Sequence, residues 1–147
     1  MAEVAAPRPF KYTKPEFDHG KRIVKLARTD RMIGLMQVLK QGGENNLHSH
    51  SHLDGFWLVL SGRVRFYGTD DQLIADLGRL EGVLIPRNCP YWFESAGDED
   101  AELLQVEAFD IPIADDQTMK ADRTNYVPLK RPIGSGTIGP GDGVADS

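Results

Sequence analysis

Three histidines alternate with other residues in the segment NNLHSHSHLDG: His48, His50 and His52. On a β-strand, side chains two residues apart point to the same face, so His48 and His50 can hold one divalent ion between them. Imidazole binds Fe, Mn, Ni and Zn alike, so the spacing does not select the metal. The same tract is also compatible with a polar turn at the surface. The histidines therefore predict either a metal site or an exposed turn.

A catalytic divalent ion needs about three protein ligands. On a regular strand, alternate Cβ atoms lie ~6.6 Å apart, which separates His48 and His52 by about 13 Å. We therefore favour His48 and His50 as the metal pair and keep His52 as a further predicted metal ligand. Other side chains that could complete the ligand set are Gln37, Asp54, Tyr91 and Glu107.

The elements that must position these residues have the pattern of β-strands. The chain has 147 residues, with 15 glycines and 9 prolines that punctuate short apolar or alternating runs. These runs predict about eight strands, and Ser61-Gly62 predicts a hairpin turn between two of them. The predicted strands cover residues 21–28, 32–40, 56–60, 63–67, 72–77, 82–86, 91–94 and 103–109. No helical period persists for ten residues, so the prediction is an all-β barrel or sandwich.

The chain divides into three predicted regions. Residues 1–20 form a polar N-terminal arm, residues 21–110 form the barrel, and residues 111–147 form a C-terminal strap and tail. Tyr126, Val127 and Leu129 are expected to face the barrel from the strap. The final residues are rich in Gly and Pro and cannot bury enough apolar surface to offset their ordering entropy, so we expect flexibility there.

Composition excludes several classes of function. The 17 basic and 22 acidic residues give a net charge of -5, which argues against a nucleic-acid partner. No apolar run approaches the ~20 residues of a membrane span, and no secretory signal pattern appears, so we expect a cytoplasmic protein. The single cysteine, Cys89, excludes an internal disulfide. Phosphate-binding glycine motifs are missing, so no nucleotide cofactor is expected.

Residues 43–109 resemble the cupin superfamily. The family's first motif contains two histidines one residue apart, a glutamate and a closing glycine. His48 and His50 match the histidines, Gly55 stands at the glutamate position, and Gly62 matches the closing glycine.

The second cupin motif is matched in part. Pro86 falls at the motif's proline, and Asn88 replaces the turn glycine, which it can do because Asn tolerates left-handed backbone geometry. Tyr91 stands where the family has its metal-binding histidine. The resemblance implies a single jelly-roll barrel (a double-stranded β-helix), a homodimer and, in metal-dependent members, four ligands, of which this sequence keeps two.

Three functions follow from these residues and from the resemblance. In the first, His48 and His50 hold a metal for dioxygenase, isomerase or lyase chemistry. In the second, a metal-free isomerase, epimerase or cyclase uses His48 or His50 as the base and Tyr91 as the acid; we predict His50 and Tyr91 as catalytic. In the third, the barrel binds a small molecule without catalysis. The predicted substrate-binding residues are Gln37, Asp54, Trp57, Trp92 and Glu107.

The strand 56–60 carries a further expectation. Phe56 and Trp57 are adjacent, so only one of them can face the barrel interior. The other must be covered by the N-terminal arm or by a second subunit, which supports the expected homodimer. No motif specifies the substrate, so its identity stays open.

Overall fold

The computed structural model describes residues 5–41, 43–127, 136–138 and 145–146. All eight predicted strands are confirmed, with small shifts at their ends, and β3, β10, β11 and β12 are added. Together with the helix α1 (Asp116–Ala121), the strands are β1 (Lys21–Arg28), β2 (Met32–Leu39), β3 (His48–His50), β4 (Leu53–Ser61), β5 (Val64–Tyr67), β6 (Leu73–Leu77), β7 (Gly82–Ile85), β8 (Trp92–Ser95), β9 (Ala101–Phe109), β10 (Arg123–Asn125), β11 (Gly136–Ile138) and β12 (Ala145–Asp146).

In the described ranges, the strands form three sheets. The largest has the order β12-β11-β1-β2-β9-β4-β7, the second has the order β6-β5-β8, and β10 pairs with β3. Neighbouring strands are antiparallel except for β1 and β11, which are parallel. The predicted all-β jelly-roll barrel is confirmed.

Alternation along the central strands sets which side chains face inward. On β9, Ala101, Leu103, Gln105, Glu107 and Phe109 are buried, while the residues between them are partly or fully exposed. This is the period of two expected for a strand with one face on the core. The same alternation on β4 puts Trp57, the largest side chain of that strand, inside the barrel.

The barrel core has a polar layer between two apolar layers. One apolar cluster contains Trp57, Phe66, Phe93 and Leu103, and the other contains Ile33, Leu35, Leu53, Phe109 and Ile113. Between them along β2 and β9 lie Gln37, Gln105 and Glu107, all buried. Each large apolar side chain contributes about 1.5–3 kcal/mol on burial. The polar layer lowers the free energy gained by burial. Such a cost is a reason to expect that these polar residues bind a ligand.

Two turn positions follow the sequence expectation. Asn88 takes a φ of 66°, the left-handed geometry that its type tolerates. Gly62 takes a φ of 75° in the hairpin turn, and a Cβ there would lie 2.6 Å from a backbone oxygen. Both residues let the chain turn tightly between strands.

The N-terminal arm lies along the outside of the large sheet. Residues 5–20 form no helix or strand, and the Tyr12 hydroxyl donates to Glu102 on β9 at 2.6 Å. The guanidinium of Arg22 lies 4.9 Å from the Phe17 ring centroid. The arm therefore packs on the sheet, while Phe56 on β4 stays 42% exposed.

Part of the C-terminal region extends the large sheet. β11 pairs with β1, and β12 pairs with β11. Leu129 and most of the tail predicted to be flexible lie outside the described residues, so the proposed three-region division stays a prediction. Within the described ranges, no helix is long and apolar enough to cross a membrane.

Candidate functional site

His48 is buried, and a backbone contact fixes which of its ring nitrogens carries the proton. Its ring is buried, 1% exposed, on the short strand β3. Its Nδ1 lies 2.6 Å from the backbone carbonyl oxygen of Asn46, and because a carbonyl can only accept, Nδ1 carries the proton. The Nε2 atom therefore keeps its lone pair for a ligand, a proton or a metal ion.

His50 shares the face of β3 with His48. The two ring centroids are 5.1 Å apart and the rings are nearly perpendicular, at 88°. His50 Nδ1 lies 3.9 Å from Asp122 Oδ2, which is too long for a hydrogen bond but close enough for charge attraction. Among the described residues, this buried nitrogen has no hydrogen-bond partner. A charged His50 would be stabilised by that carboxylate.

Both histidines are neutral at pH 7. Burial, with the positive charge of Arg123 as the next cause, lowers the pKa of His48 to about 3. The same two causes lower the pKa of His50 to about 4, and the Asp122 carboxylate partly opposes them. Neutral imidazoles can accept protons or bind metals, so the pair is chemically available.

Tyr91 completes an aromatic cluster with the histidines. Its backbone N–H donates to His48 at 2.9 Å and its carbonyl accepts from His48 at 3.1 Å, so the two rings are held 4.4 Å apart. Trp57 covers the other side of Tyr91 at a centroid distance of 5.0 Å. Burial, followed by the charge of Glu107, raises the pKa of the Tyr91 hydroxyl well above its usual value. The phenol therefore stays protonated and can donate a hydrogen bond.

A chain of three side chains crosses the polar layer. Gln37 Nε2 donates to Gln105 Oε1 at 2.5 Å, and Gln105 Nε2 donates to Glu107 Oε1 at 2.6 Å. The outer atoms of the chain, Gln37 Oε1 and Glu107 Oε2, are buried and make no hydrogen bond to any described group. Burial raises the pKa of Glu107 to about 7. Buried polar atoms without partners are expensive unless a ligand or water satisfies them.

Gly55 is the cross-strand partner of Glu107. A Cβ at this glycine would lie 3.1 Å from two ring carbons of Trp57 and 3.4 Å from Glu107 Cγ. The Trp57 ring and the Glu107 stem therefore fill the space beside the Gly55 backbone. A glutamate here, as the resembled family has, would require Trp57 to move.

The described part of the strap consists of α1, β10 and residues 126–127, and β10 pairs antiparallel with β3. Asp122 Oδ2 accepts from the backbone N–H groups of Ser51 and His52, each at 3.1 Å. Asn46 Nδ2 donates to Asn125 Oδ1 at 2.9 Å, and Asn46 Oδ1 accepts from Arg123. The strap thereby fixes one anionic and one cationic side chain beside the histidines.

The strap residues predicted to face the barrel are largely open to solvent. Tyr126 is 51% exposed and Val127 is 45% exposed. The Tyr126 hydroxyl is 2.9 Å from Ser49 Oγ, so this ring touches β3 at its polar end. The strap is attached by these polar contacts and by Met119 of α1, which packs against the apolar cluster that contains Ile33 and Phe109.

Two predicted site residues lie at the barrel rim. His52 is partly exposed and its Nδ1 lies 3.0 Å from Asp110 Oδ1. Asp54 Oδ2 lies 3.2 Å from Arg87 Nη2, and Arg87 also pairs with Asp110. These four side chains form one surface ion-pair network, so the predicted metal role of His52 and binding role of Asp54 stay predictions.

Trp92 lies on the outside of the small sheet. Its ring stacks on Tyr67 at a centroid distance of 4.5 Å, and its Nε1 donates to Asp71 at 3.0 Å. Because Tyr91 and Phe93 face the core, alternation turns Trp92 away from it. The remaining predicted residues are brought together in the interior: Gln37, His48, His50, Trp57, Tyr91 and Glu107.

The donor set does not complete a metal site. In the described part of the chain, no group of three or more His, Cys, Asp or Glu side chains is arranged to hold an ion. The pair His48 and His50 offers two ligands, and the positive charge of Arg123 acts on both of them. Among the described residues, the His, Cys, Asp and Glu side chains therefore do not supply the three ligands of a catalytic metal.

Three residues of the site were not predicted from the sequence: Asn46, Asp122 and Arg123. Asn46 directly precedes the histidine tract, and a polar side chain there was a weak signal of capping or turn formation. Asp122 directly follows a six-residue helix, and Arg123 is the first residue of a three-residue strand. Elements this short carry little periodicity, so their place beside the histidines was not visible in the sequence.

Comparison with known proteins agrees with this architecture. The sequence profile of the cupin domain family matches residues 35–107. The chain belongs to the cupin superfamily. No curated protein matches the sequence.

Solved structures share the fold at low identity. KdgF from Halomonas sp. has a TM-score of 0.62 and 15% identity, and the match covers 76% of this chain and 99% of that chain. A cupin superfamily protein from Desulfitobacterium hafniense has a TM-score of 0.55 and 23% identity, covering 65% and 84%. The cupin domain of Cnp3 from Schizosaccharomyces pombe has a TM-score of 0.55 and 16% identity, and the match covers 60% of this chain and 64% of that one. At these identities the likeness concerns the fold alone.

Proposed function

We propose that the barrel binds a small polar molecule and catalyses proton transfer on it, as an isomerase, epimerase or cyclase does. One observation carries this proposal: two neutral histidines and a protonated tyrosine meet in the barrel interior, with ring centroids 5.1 Å and 4.4 Å apart. Acid–base catalysis requires side chains that accept and donate protons beside the bound substrate. The unpartnered atoms of Gln37 and Glu107 offer polar contacts for the bound molecule.

His50 is the proposed base. With Nδ1–H towards Asp122, its Nε2 accepts the substrate proton, and the carboxylate stabilises the cation that forms. His48 is held by the Asn46 carbonyl and keeps the neighbouring ring in position. Tyr91 donates a hydrogen bond to the substrate oxygen that gains negative charge.

A divalent metal bound by His48 and His50 is the second candidate. The observation that favours it is the hydrogen bond from His48 Nδ1 to a backbone carbonyl, an orientation typical of metal-binding histidines. Such an ion would polarise a substrate oxygen or activate water or dioxygen. It would need a third ligand beyond those that the described residues bring together.

Elemental analysis of the purified protein separates the two candidates. The acid–base proposal expects metal at background level and unchanged activity after chelation. Near-stoichiometric metal that is lost in the double variant His48→Ala, His50→Ala would support the metal site and overturn the acid–base proposal.

Activity can be measured before the substrate is known. We propose to incubate the protein in D₂O with small hydroxy-aldehydes, hydroxy-ketones and keto acids and to follow deuterium uptake beside the carbonyl by NMR. His50→Gln should lower the exchange rate by about 10²–10⁴-fold, the usual contribution of a general base. His19→Gln, a change in the exposed arm, is the control. Binding of a probe without exchange would instead support a non-catalytic binding barrel.

We also propose a homodimer formed through the outer face of β4 and β7. Phe56 and Leu84 are partners in register on these strands and are 42% and 66% exposed. Covering them with a second copy would bury apolar surface that is costly in water. Sedimentation analysis should show a dimer that dissociates in Leu84→Glu, and a wild-type monomer would contradict it.

A further inference from the structure

The carboxyl group of Glu107 stands out in the polar layer of the barrel. Its side chain is 3% exposed, and Oε2 has no hydrogen-bond partner in the described ranges. Oε1 is fixed by the donation from Gln105, which is fixed in turn by Gln37. One oxygen is therefore held by the protein while the other is left for something that the protein does not supply.

The position of Glu107 is linked to Gly55. The two residues are cross-strand partners, and the glycine's missing side chain lets the Glu107 stem and the Trp57 ring pack against its backbone. At the position where the cupin motif has a glutamate, this chain thus has a glycine and no carboxyl group. The adjacent strand β9 places the carboxyl group of Glu107 beside that position instead.

We infer that Glu107 is the proton donor of the reaction proposed above, and that Tyr91 holds the substrate oxygen without giving up its proton. This inference rests on the proposed function. The geometry behind it is the unpartnered Oε2 of Glu107, the fixed glutamine chain and the packing beside Gly55.

The charges around Glu107 agree with this role. Burial raises its pKa to about 7, while Gln105, Arg123 and Arg28 act to lower it and Asp122 acts to raise it. Near neutral pH a substantial fraction of Glu107 is protonated. By contrast, the pKa of Tyr91 lies well above its usual value, partly because Glu107 itself repels a phenolate. A carboxylic acid is therefore the better proton donor of the two at pH 7.

The proposed step balances without an oxidant or a cofactor. A C–H bond beside the substrate carbonyl breaks, its proton goes to His50 Nε2, and its electron pair forms a C=C bond. The carbonyl oxygen takes the proton from Glu107 Oε2 and becomes an enol hydroxyl. On a hydroxy-aldehyde or hydroxy-ketone, His50 then gives its proton to the former carbonyl carbon and the Glu107 carboxylate takes the proton of the neighbouring hydroxyl, whose carbon becomes the new carbonyl. This completes an isomerisation and returns both side chains to their starting protonation states.

The first test reads the protonation of Glu107 and needs no substrate. Infrared difference spectra of the full chain between pH 5 and pH 9 should show the C=O stretch of a protonated carboxyl that disappears in Glu107→Gln. Glu102→Gln is the matched control because Glu102 lies on the same strand, with hydroxyl partners at 2.6 Å and 3.1 Å. If wild type and Glu107→Gln have the same carboxyl absorption near neutral pH, the inference is overturned.

The second test uses the deuterium-exchange assay on the same carbonyl probes. Exchange by the wild type should fall as the pH rises through about 7, since the donor loses its proton there. Glu107→Gln should be slower by about 10²–10⁴-fold and should lack this alkaline fall, whereas Tyr91→Phe should be slower but keep it.

The outcomes separate the two proposals. Unchanged exchange in Glu107→Gln, together with a loss in His50→Gln, overturns the role of Glu107 and leaves the proposed function standing. Unchanged exchange in His50→Gln overturns the proposed function. If no probe exchanges with the wild type, the infrared result alone decides whether Glu107 is the protonated carboxyl of the site.

Discussion

Gly55→Ala tests whether the packing around this glycine is as tight as the structure shows. The added methyl group would lie 3.1 Å from two carbons of the Trp57 ring, closer than ordinary van der Waals contact. Trp57 is 1% exposed and is bounded by Tyr91 at 5.0 Å and Phe66 at 5.7 Å, so it has little room to move. Overpacking of this kind costs about 1–3 kcal/mol.

Gly34→Ala provides the matched control. Gly34 also lies in a buried strand, but no described atom outside its chain neighbours is within 4 Å of its Cβ position. Replacing a strand glycine with alanine should therefore stabilise the protein by about 0.5–1 kcal/mol there.

The measurement is urea unfolding of both variants and the wild type, followed by Trp fluorescence. The free energy of unfolding should be lower in Gly55→Ala than in Gly34→Ala by about 1–3 kcal/mol, the packing cost alone. Equal stability within about 0.5 kcal/mol, the usual scatter of neutral substitutions, would refute the packing argument.

Three further variants test the electrostatics and the strap. The pKa of Glu107 rises from 4.5 to about 7 on folding, so the free energy of unfolding of the wild type should fall by about 3 kcal/mol as the pH rises through that window. Urea titrations at pH 5 and pH 8 should show this fall in the wild type and not in Glu107→Gln. Asn46→Ala removes hydrogen bonds to the strap worth about 0.5–1.5 kcal/mol each, so amide exchange in β10 should accelerate, and unchanged β10 protection would count against it. Arg123→Gln removes a positive charge and should raise the pKa of His48 and His50 in an NMR titration, whereas lower values would contradict the assigned charge effect.

The fold could be predicted from the sequence because the barrel strands carry strong local signals. The period of two along β9 puts Gln105 and Glu107 on one face, and the same rule makes Trp57 and Phe56 face opposite ways. The same alternation allows only one of the adjacent residues Tyr91 and Trp92 to face the interior. Both were predicted to line the pocket, and Trp92 lies outside.

The position of the strap beside the histidines could not be predicted because distant contacts stabilise it. Asp115 caps the helix by accepting from the Thr118 N–H at 2.7 Å, a local signal. Its placement, however, depends on Asp116 pairing with Lys25 and Arg28 on β1, almost ninety residues away in the chain. Such pairs leave no trace in local periodicity. The residues that set the charge around the histidines were therefore missed, although the histidines themselves were found.

The charge of Arg123 distinguishes the two candidate functions. It acts on His48, His50, Tyr91 and Glu107 together, so it lies close to the whole interior cluster. A second cation beside the histidines would be repelled by it, which weakens the metal proposal. Negative charge that develops on a substrate oxygen would be stabilised by it, because electrostatic interactions are stronger in a buried site. Arg123, one of the three site residues that were not predicted, therefore favours proton transfer over metal binding.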